Sequence, residues 1–196
     1  MSKKLPTVWQ ADLHTIAKIA ILRSYLHVWF SIFARSSHFA GKDLWYIDGF
    51  AGPGEYTNYP DGSPVAALKA AAAALDTAGT AWKAGNIHCL MIEEDAKRFA
   101  HLQQRLETVP PHASVQRHLF PGTFADGVAL LKQQGTNPFK TSNPLFAFID
   151  PFGTRGLSFD VIRDLLGRPA CEVLVNFDSD GAARVFHLKQ LQITNE

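Results

Sequence analysis

Apolar residues between positions 12 and 33 recur at three-and-four spacing: Ile16, Ile19, Ala20, Leu22, Leu26, Trp29, Phe30 and Phe33. That period predicts one amphipathic helix, with Lys18, Arg23 and Ser24 falling away from its apolar face. Such a helix most often packs on a sheet ahead of the first strand; a lid or a partner-binding helix is the alternative. Beyond it the pattern changes to short, nearly continuous apolar runs at 44–47, 86–92, 114–119, 144–149 and 171–177. These read as five buried strands. Between them, 64–75, 96–106, 127–134 and 159–166 carry helical spacing. Strand and helix therefore alternate, which predicts the α/β class: a doubly wound, mostly parallel sheet covered on both faces.

Ligands of such sheets sit outside the carboxyl ends of the strands, and there this sequence places polar residues: Asp48, Glu93, Asp150, and Asn176 or Asp178. The first strand runs directly into a glycine-rich turn, L-W-Y-I-D-G-F-A-G-P-G over 44–54, with Gly49, Gly52 and Gly54. Glycines there let backbone N–H groups approach a nucleotide-like ligand, although a tight loop after a strand gives the same pattern. Gly62-Ser63-Pro64 opens the next helix, with Ser63 as the natural N-cap and Pro64 as the first helical residue. The alanines that follow make a thin helix whose amino end points at the glycine turn. Glu93, after the second strand, is placed to accept from ribose hydroxyls. Its separation from the turn, about 40 residues, exceeds the roughly 20 of a compact dinucleotide fingerprint, because 55–61 and 76–85 are inserted. Glu94 and Asp95 better suit a helix amino terminus.

Composition narrows the class without naming a ligand. The chain has 196 residues, 46% of them hydrophobic and 19% charged, enough for one domain with a full core. Its net charge of +1 gives no global attraction to phosphate. Two cysteines, Cys89 and Cys171, lie inside apolar runs and read as buried thiols; they support neither a disulfide framework nor a zinc site. His14, His27 and His38 share no metal-ligand spacing. The amino terminus, M-S-K-K-L-P, lacks a signal-peptide core, and no run approaches the roughly 18 consecutive apolar residues of a membrane span. The cytoplasm is the expected location.

Two motifs now acquire a context. D-G-F-A-G-P-G fits D-x-F-x-G-x-G and resembles the S-adenosylmethionine loop of Rossmann-fold methyltransferases that modify nucleic-acid amino groups. D-P-F-G, residues 150–153, resembles their D-P-P-Y motif, with Phe152 in place of the second proline and Gly153 in place of the aromatic. In those enzymes the acid and a proline carbonyl accept from the target amine while the aromatic stacks on a flipped base. A wider resemblance is to the three-Cys-motif partner (TcmP) family. It rests on H-T-x-x-K at His14, Thr15 and Lys18, on Y-L-x-x-W at Tyr25, Leu26 and Trp29, and on Y-I-D-G-F-A-G-P-G, Gly62-Ser63-Pro64, I-E-E-D, F-I-D-P-F-G and V-L-V-N-F.

The resemblance implies a Rossmann-like methyltransferase domain over 44–196, preceded by a helical segment over 1–43. It implies S-adenosylmethionine as cofactor, held by Asp48, Gly49, Phe50, Gly52, Gly54 and Glu93, with the 120–126 loop bordering the adenine. Asp150, Pro151 and Phe152 are the implied catalytic residues, positioning an acceptor nitrogen, and Arg155 is a candidate phosphate contact. The implied partner carries three cysteines, like a radical-type iron–sulfur protein, and nucleic acid is a candidate substrate. A cofactor-binding or interaction subunit without catalysis is the other expectation. Sheets of this kind end with two more strands, one antiparallel. Only about 20 residues follow strand five here, so the sequence predicts a sheet truncated after that strand, with its edge unpaired and with residues 178–196 forming at most one helix.

Overall fold

A computed structural model describes residues 6–134, 138–140, 142–151 and 156–176. Among the described residues, five strands, β1 (Leu44–Asp48), β2 (Ile87–Glu93), β3 (Val115–Pro121), β4 (Leu145–Ile149) and β5 (Cys171–Val175), form one all-parallel sheet in the order β3-β2-β1-β4-β5. The predicted α/β doubly wound class is what the chain adopts. Connecting and covering the strands are α1 (Leu13–Arg35), α2 (Ser63–Ala78), α3 (Ala96–Glu107), α4 (Phe124–Gln133) and α5 (Phe159–Leu166).

Strand side chains alternate between faces, so β1, β2 and β4 each feed two cores. Tyr46, Cys89, Met91, Phe146 and Phe148 meet α1, α2 and α3. Trp45, Ile47, Leu90, Ala147 and Ile149 meet α4 and α5. The alanines of α2 do what a thin helix allows: Ala66, Ala67, Ala70, Ala71 and Ala74 are buried where α1 and the sheet close around it. α1 packs its Leu22, Leu26, Trp29 and Phe30 stripe into the same core. It also reaches the sheet's edge, where the Tyr25 hydroxyl and Trp29 Nε1 both donate to the Glu172 carboxylate of β5.

Several boundaries move. Asp12 is the N-cap of α1, its side chain accepting from Thr15 N–H at 2.7 Å. Gly62, not Ser63, is the N-cap of α2. Of the loop expected over 120–126, the last three residues are already α4, because Thr123 caps a helix starting at Phe124, and the first two belong to β3. Cys171 is only partly buried, unlike Cys89. Measured as a helix rather than as an unbroken apolar run, α1 is long and apolar enough to cross a membrane by length and composition, a property that a core helix shares. Phe152, Gly153, Arg155, Asp178 and the whole 177–196 segment lie outside the described residues, as do the roles expected of them.

On the α4 face, Trp45 stacks on His88 at 4.3 Å, and His88 Nδ1 lies 3.0 Å from His118 Nε2. Burial holds both imidazoles below the usual histidine pKa; the Asp43 carboxylate partly opposes this at His88, and repulsion from His88 adds to it at His118. A histidine whose folded pKa is depressed favours the native state while neutral, so the stability it contributes is present above about pH 6.5 and lost as pH falls through and below it. Replacing His118 with Leu should therefore reduce the fall in urea midpoint between pH 7 and pH 5 relative to the natural chain. An unchanged fall would show that the pair does not titrate on unfolding.

Candidate functional site

Strand order reverses between β1 and β4: the chain runs β1, β2, β3 to one side, then crosses to β4 on the other. The crevice that opens at such a switch point lies at the carboxyl ends of those two strands. Asp48 ends β1 and Asp150 immediately follows β4.

The glycine turn is stitched across this edge. Gly49 N–H donates to Phe148 O of β4 at 2.9 Å, and Ala51 N–H to Ile92 O of β2 at 2.8 Å. Gly52 and Gly54 have φ of +62° and +84°, backbone that side chains other than glycine's seldom adopt. Gly52 N–H donates to Glu93 Oε2 at 2.9 Å, while Glu93 Oε1 accepts from Asp95 N–H and Arg98 Nε. Glu93 is thus a buried staple for the turn, although its two oxygens offer about four lone pairs and three are used. Gly62 N–H donates to Gly54 O at 2.8 Å, bringing the start of α2 onto the turn. Gly62 supplies no side-chain cap, so the amino end of α2, with Pro64 in its first turn, carries none.

Asp48 lies beneath the turn with no exposed surface. Burial pushes its carboxyl up to about 7, even though Ser63, Phe50 N–H and Tyr46 hydrogen-bond to it and lower the value in part. Nearby, burial followed by the charges of Asp150, Asp48 and Asp12 holds the Tyr56 phenol above its usual range. Tyr56 belongs to the inserted 55–61 segment, which the sequence presents only as a polar loop. In the structure that loop is clamped from both sides. Arg105 and His101 hold Glu55 at 2.9 and 2.8 Å, and Lys69 holds Asp61 at 2.7 Å. On the opposite side Thr57 N–H donates to Trp9 O, and Asn58 exchanges two hydrogen bonds with Ala11. Trp9 stands edge-on to Tyr56 with its ring over Gly52. The segment before α1 therefore straps the glycine turn. Its signal in the sequence is a single aromatic residue, Trp9, ahead of the helix.

Asp150 accepts from Lys18 Nζ and, at 2.6 Å, from Asn176 Nδ2. Lys18, expected to point away from the core, turns instead toward the sheet edge. Pro151 is buried behind Asp150, and Phe50 is half-buried against Phe124 at 6.0 Å. The structure thus brings Asp48, the three glycines, Glu93 and Asp150 to one edge, with Asn176 joined to Asp150. Among the described residues no cluster of histidine, cysteine or acidic side chains could hold a metal ion.

No family model and no curated protein matches the chain. Among solved structures, a "putative methylase" from Haemophilus influenzae is similar at 18% identity and a TM-score of 0.40, over 79% of this chain and 69% of that one. A loganic acid methyltransferase, solved with S-adenosylhomocysteine, is similar at 14% identity and a TM-score of 0.34, over 75% of this chain and 40% of that one.

Proposed function

We propose that the chain binds S-adenosylmethionine outside the carboxyl ends of β1 and β4 and transfers its methyl group to a nitrogen acceptor. The observation that carries this reading is the position of the glycine turn at the topological switch point, with Glu93 on one side and Asp150 on the other. The residues present fit such a cofactor. Gly52 and Gly54 keep side chains off the turn, the positive dipole end of α2 lies against it, and Glu93 retains one acceptor site for a ribose hydroxyl. When bound, the cofactor supplies an electrophilic methyl on a sulfonium, which a nitrogen lone pair displaces as the carbon–sulfur electron pair returns to sulfur.

The chain's own residues would bind and align. Asp48 and Glu93 fix the turn, and Trp9 with Tyr56 closes its outer side. Asp150, with the Pro151 carbonyl, orients the acceptor and takes up the proton the nitrogen loses. Alignment of two bound reactants would carry most of the rate. The motifs shared with three-Cys-motif partner proteins support an assignment to that family and a three-cysteine, iron–sulfur-like partner. D-P-F-G supports an amino acceptor, of which a nucleobase is one candidate. A second reading, a cofactor-binding subunit without turnover, is favoured by Lys18, which already fills a bonding position on Asp150.

The test is thermal unfolding with and without S-adenosylmethionine. Cofactor at about 100 times its dissociation constant should stabilise the chain by roughly 2.7 kcal/mol and raise the midpoint by several degrees. Glu93→Gln should lower both the starting midpoint and the shift, because the same carboxylate staples the turn. Asp150→Ala should retain the shift and lose methyl transfer. No shift in a folded sample would rule out the cofactor site.

A further inference from the structure

A cavity of about 700 Å3 lies between α1 and the carboxyl ends of β4 and β5. Ile21, Phe148 and Leu174 give it apolar walls, and Lys18 and Asn176 line its polar end. Both of those polar residues donate to Asp150, so the Asp150 carboxylate stands directly behind them. Asp12 also borders the cavity from the N-cap of α1, where its Oδ1 accepts from Thr15 N–H. Asp150 is the carboxylate at the cavity's Lys18 end, reached once Lys18 Nζ moves aside.

We propose that this cavity takes a primary alkylammonium group, seated on Asp150 in the place that Lys18 Nζ now holds, so that Lys18 is a displaceable internal ligand. The proposal rests on the reading of Asp150 as the acceptor-facing carboxylate, and it names an aliphatic amine rather than a nucleobase as the acceptor class. Two features of the site favour that class. Its present occupant is a compact three-donor cation on an aliphatic stem, and Ile21, Leu174 and Val175 line the space beside it. Of the rings lining the cavity, Phe148 is 1% exposed and offers no free face for stacking a base, while His14 stands exposed in the first turn of α1. Lys18 can leave at small cost. Its side chain is 24% exposed, the pair is reached by solvent, and a lysine ammonium released from a partly exposed pair recovers its hydration.

The experiment titrates the full chain with n-hexylammonium chloride, followed by calorimetry or amide chemical shifts, with hexanol as the uncharged control. The samples are the natural chain, Lys18→Met, Lys18→Gln, and Lys18→Met combined with Asp150→Asn. Without its internal competitor the chain should bind hexylammonium roughly ten-fold tighter than the natural protein, Lys18→Gln should fall between, and the double variant should lose that gain. Hexanol should not distinguish the four. Equal binding by the natural chain and both single variants, or binding indifferent to Asp150→Asn, would overturn the proposal. Lys18→Gln retains a donor to Asp150 and keeps the test decisive if the methionine variant folds poorly. Midpoint shifts with S-adenosylmethionine on the same samples separate the two readings. A cofactor shift without ammonium binding removes only the amine site, and ammonium binding without a cofactor shift removes only the methyltransferase.

Discussion

Gly62→Ala is expected to destabilise the chain by about 3 kcal/mol, the upper end of ordinary overpacking costs, and to remove any cofactor-induced stabilisation. Gly62 has φ of −68°, which alanine adopts freely, so the effect does not come from backbone strain. It comes from proximity. An added Cβ would lie 2.6 Å from the carbonyl carbon of Gly54 and 2.8 Å from its oxygen. Both neighbours are backbone, so no side chain can rotate away, and relief requires the glycine turn to part from the start of α2. That movement breaks the Gly62 N–H to Gly54 O hydrogen bond and shifts the glycine turn. Gly41→Ala is the control: its φ is +71°, but nothing lies within 4 Å of an added Cβ. It should cost about 1 kcal/mol from left-handed backbone alone. Urea denaturation of both variants, followed by tryptophan fluorescence, compares them. If Gly62→Ala were no worse than Gly41→Ala, the turn would be able to move without consequence, and its role as a rigid cradle would fail.

The requirement at Gly62 also shows where sequence legibility stops. Strand identity is readable because each strand buried on both faces writes a continuous apolar run, as L-F-A-F-I does for β4. The polar residue at each strand's end is readable for the same reason, and Asp48, Glu93 and Asp150 do lie on one edge. Their partners are not readable, since they come from positions far apart in sequence. Lys18 reaches Asp150 across 132 residues, and Asn58 meets Ala11 across 47. Ser63 looks like a cap because N-cap preference is local, yet the neighbouring Asp48 gives its hydroxyl another use and Gly62 takes the cap position. His88 and His118 give no sign of pairing in the sequence, because cross-strand neighbours have no fixed spacing along the chain.

Asp48→Asn should raise stability at pH 8 by about 2–4 kcal/mol and have little effect at pH 4. The carboxyl of Asp48 moves from 3.8 to about 7 on folding, chiefly because burial penalises its charge. The folded state therefore binds the proton more tightly than the unfolded state. Stability from this group is whole below about pH 4, falls as pH rises toward 7, and is lost above it. At about 1.36 kcal/mol for each tenfold change in proton affinity, that rise is worth roughly 4 kcal/mol, an upper figure for a side chain that also accepts hydrogen bonds. Asparagine carries no charge to penalise. Its amide oxygen can accept from Phe50 N–H, and the Tyr46 and Ser63 hydroxyls can rotate to accept from its nitrogen. The gap between variant and natural chain should open between pH 4 and 7 and then level off. In a chain of this length it should reach about 5–15 °C in midpoint. The histidine pair pulls the natural chain the opposite way below about pH 6.5, so the difference between the two proteins, not either curve alone, isolates Asp48. A variant less stable than the natural chain at pH 8 would mean that the ionised carboxylate organises the turn through its hydrogen bonds. A more stable variant with a smaller cofactor shift would identify Asp48 as a strained charge retained for binding.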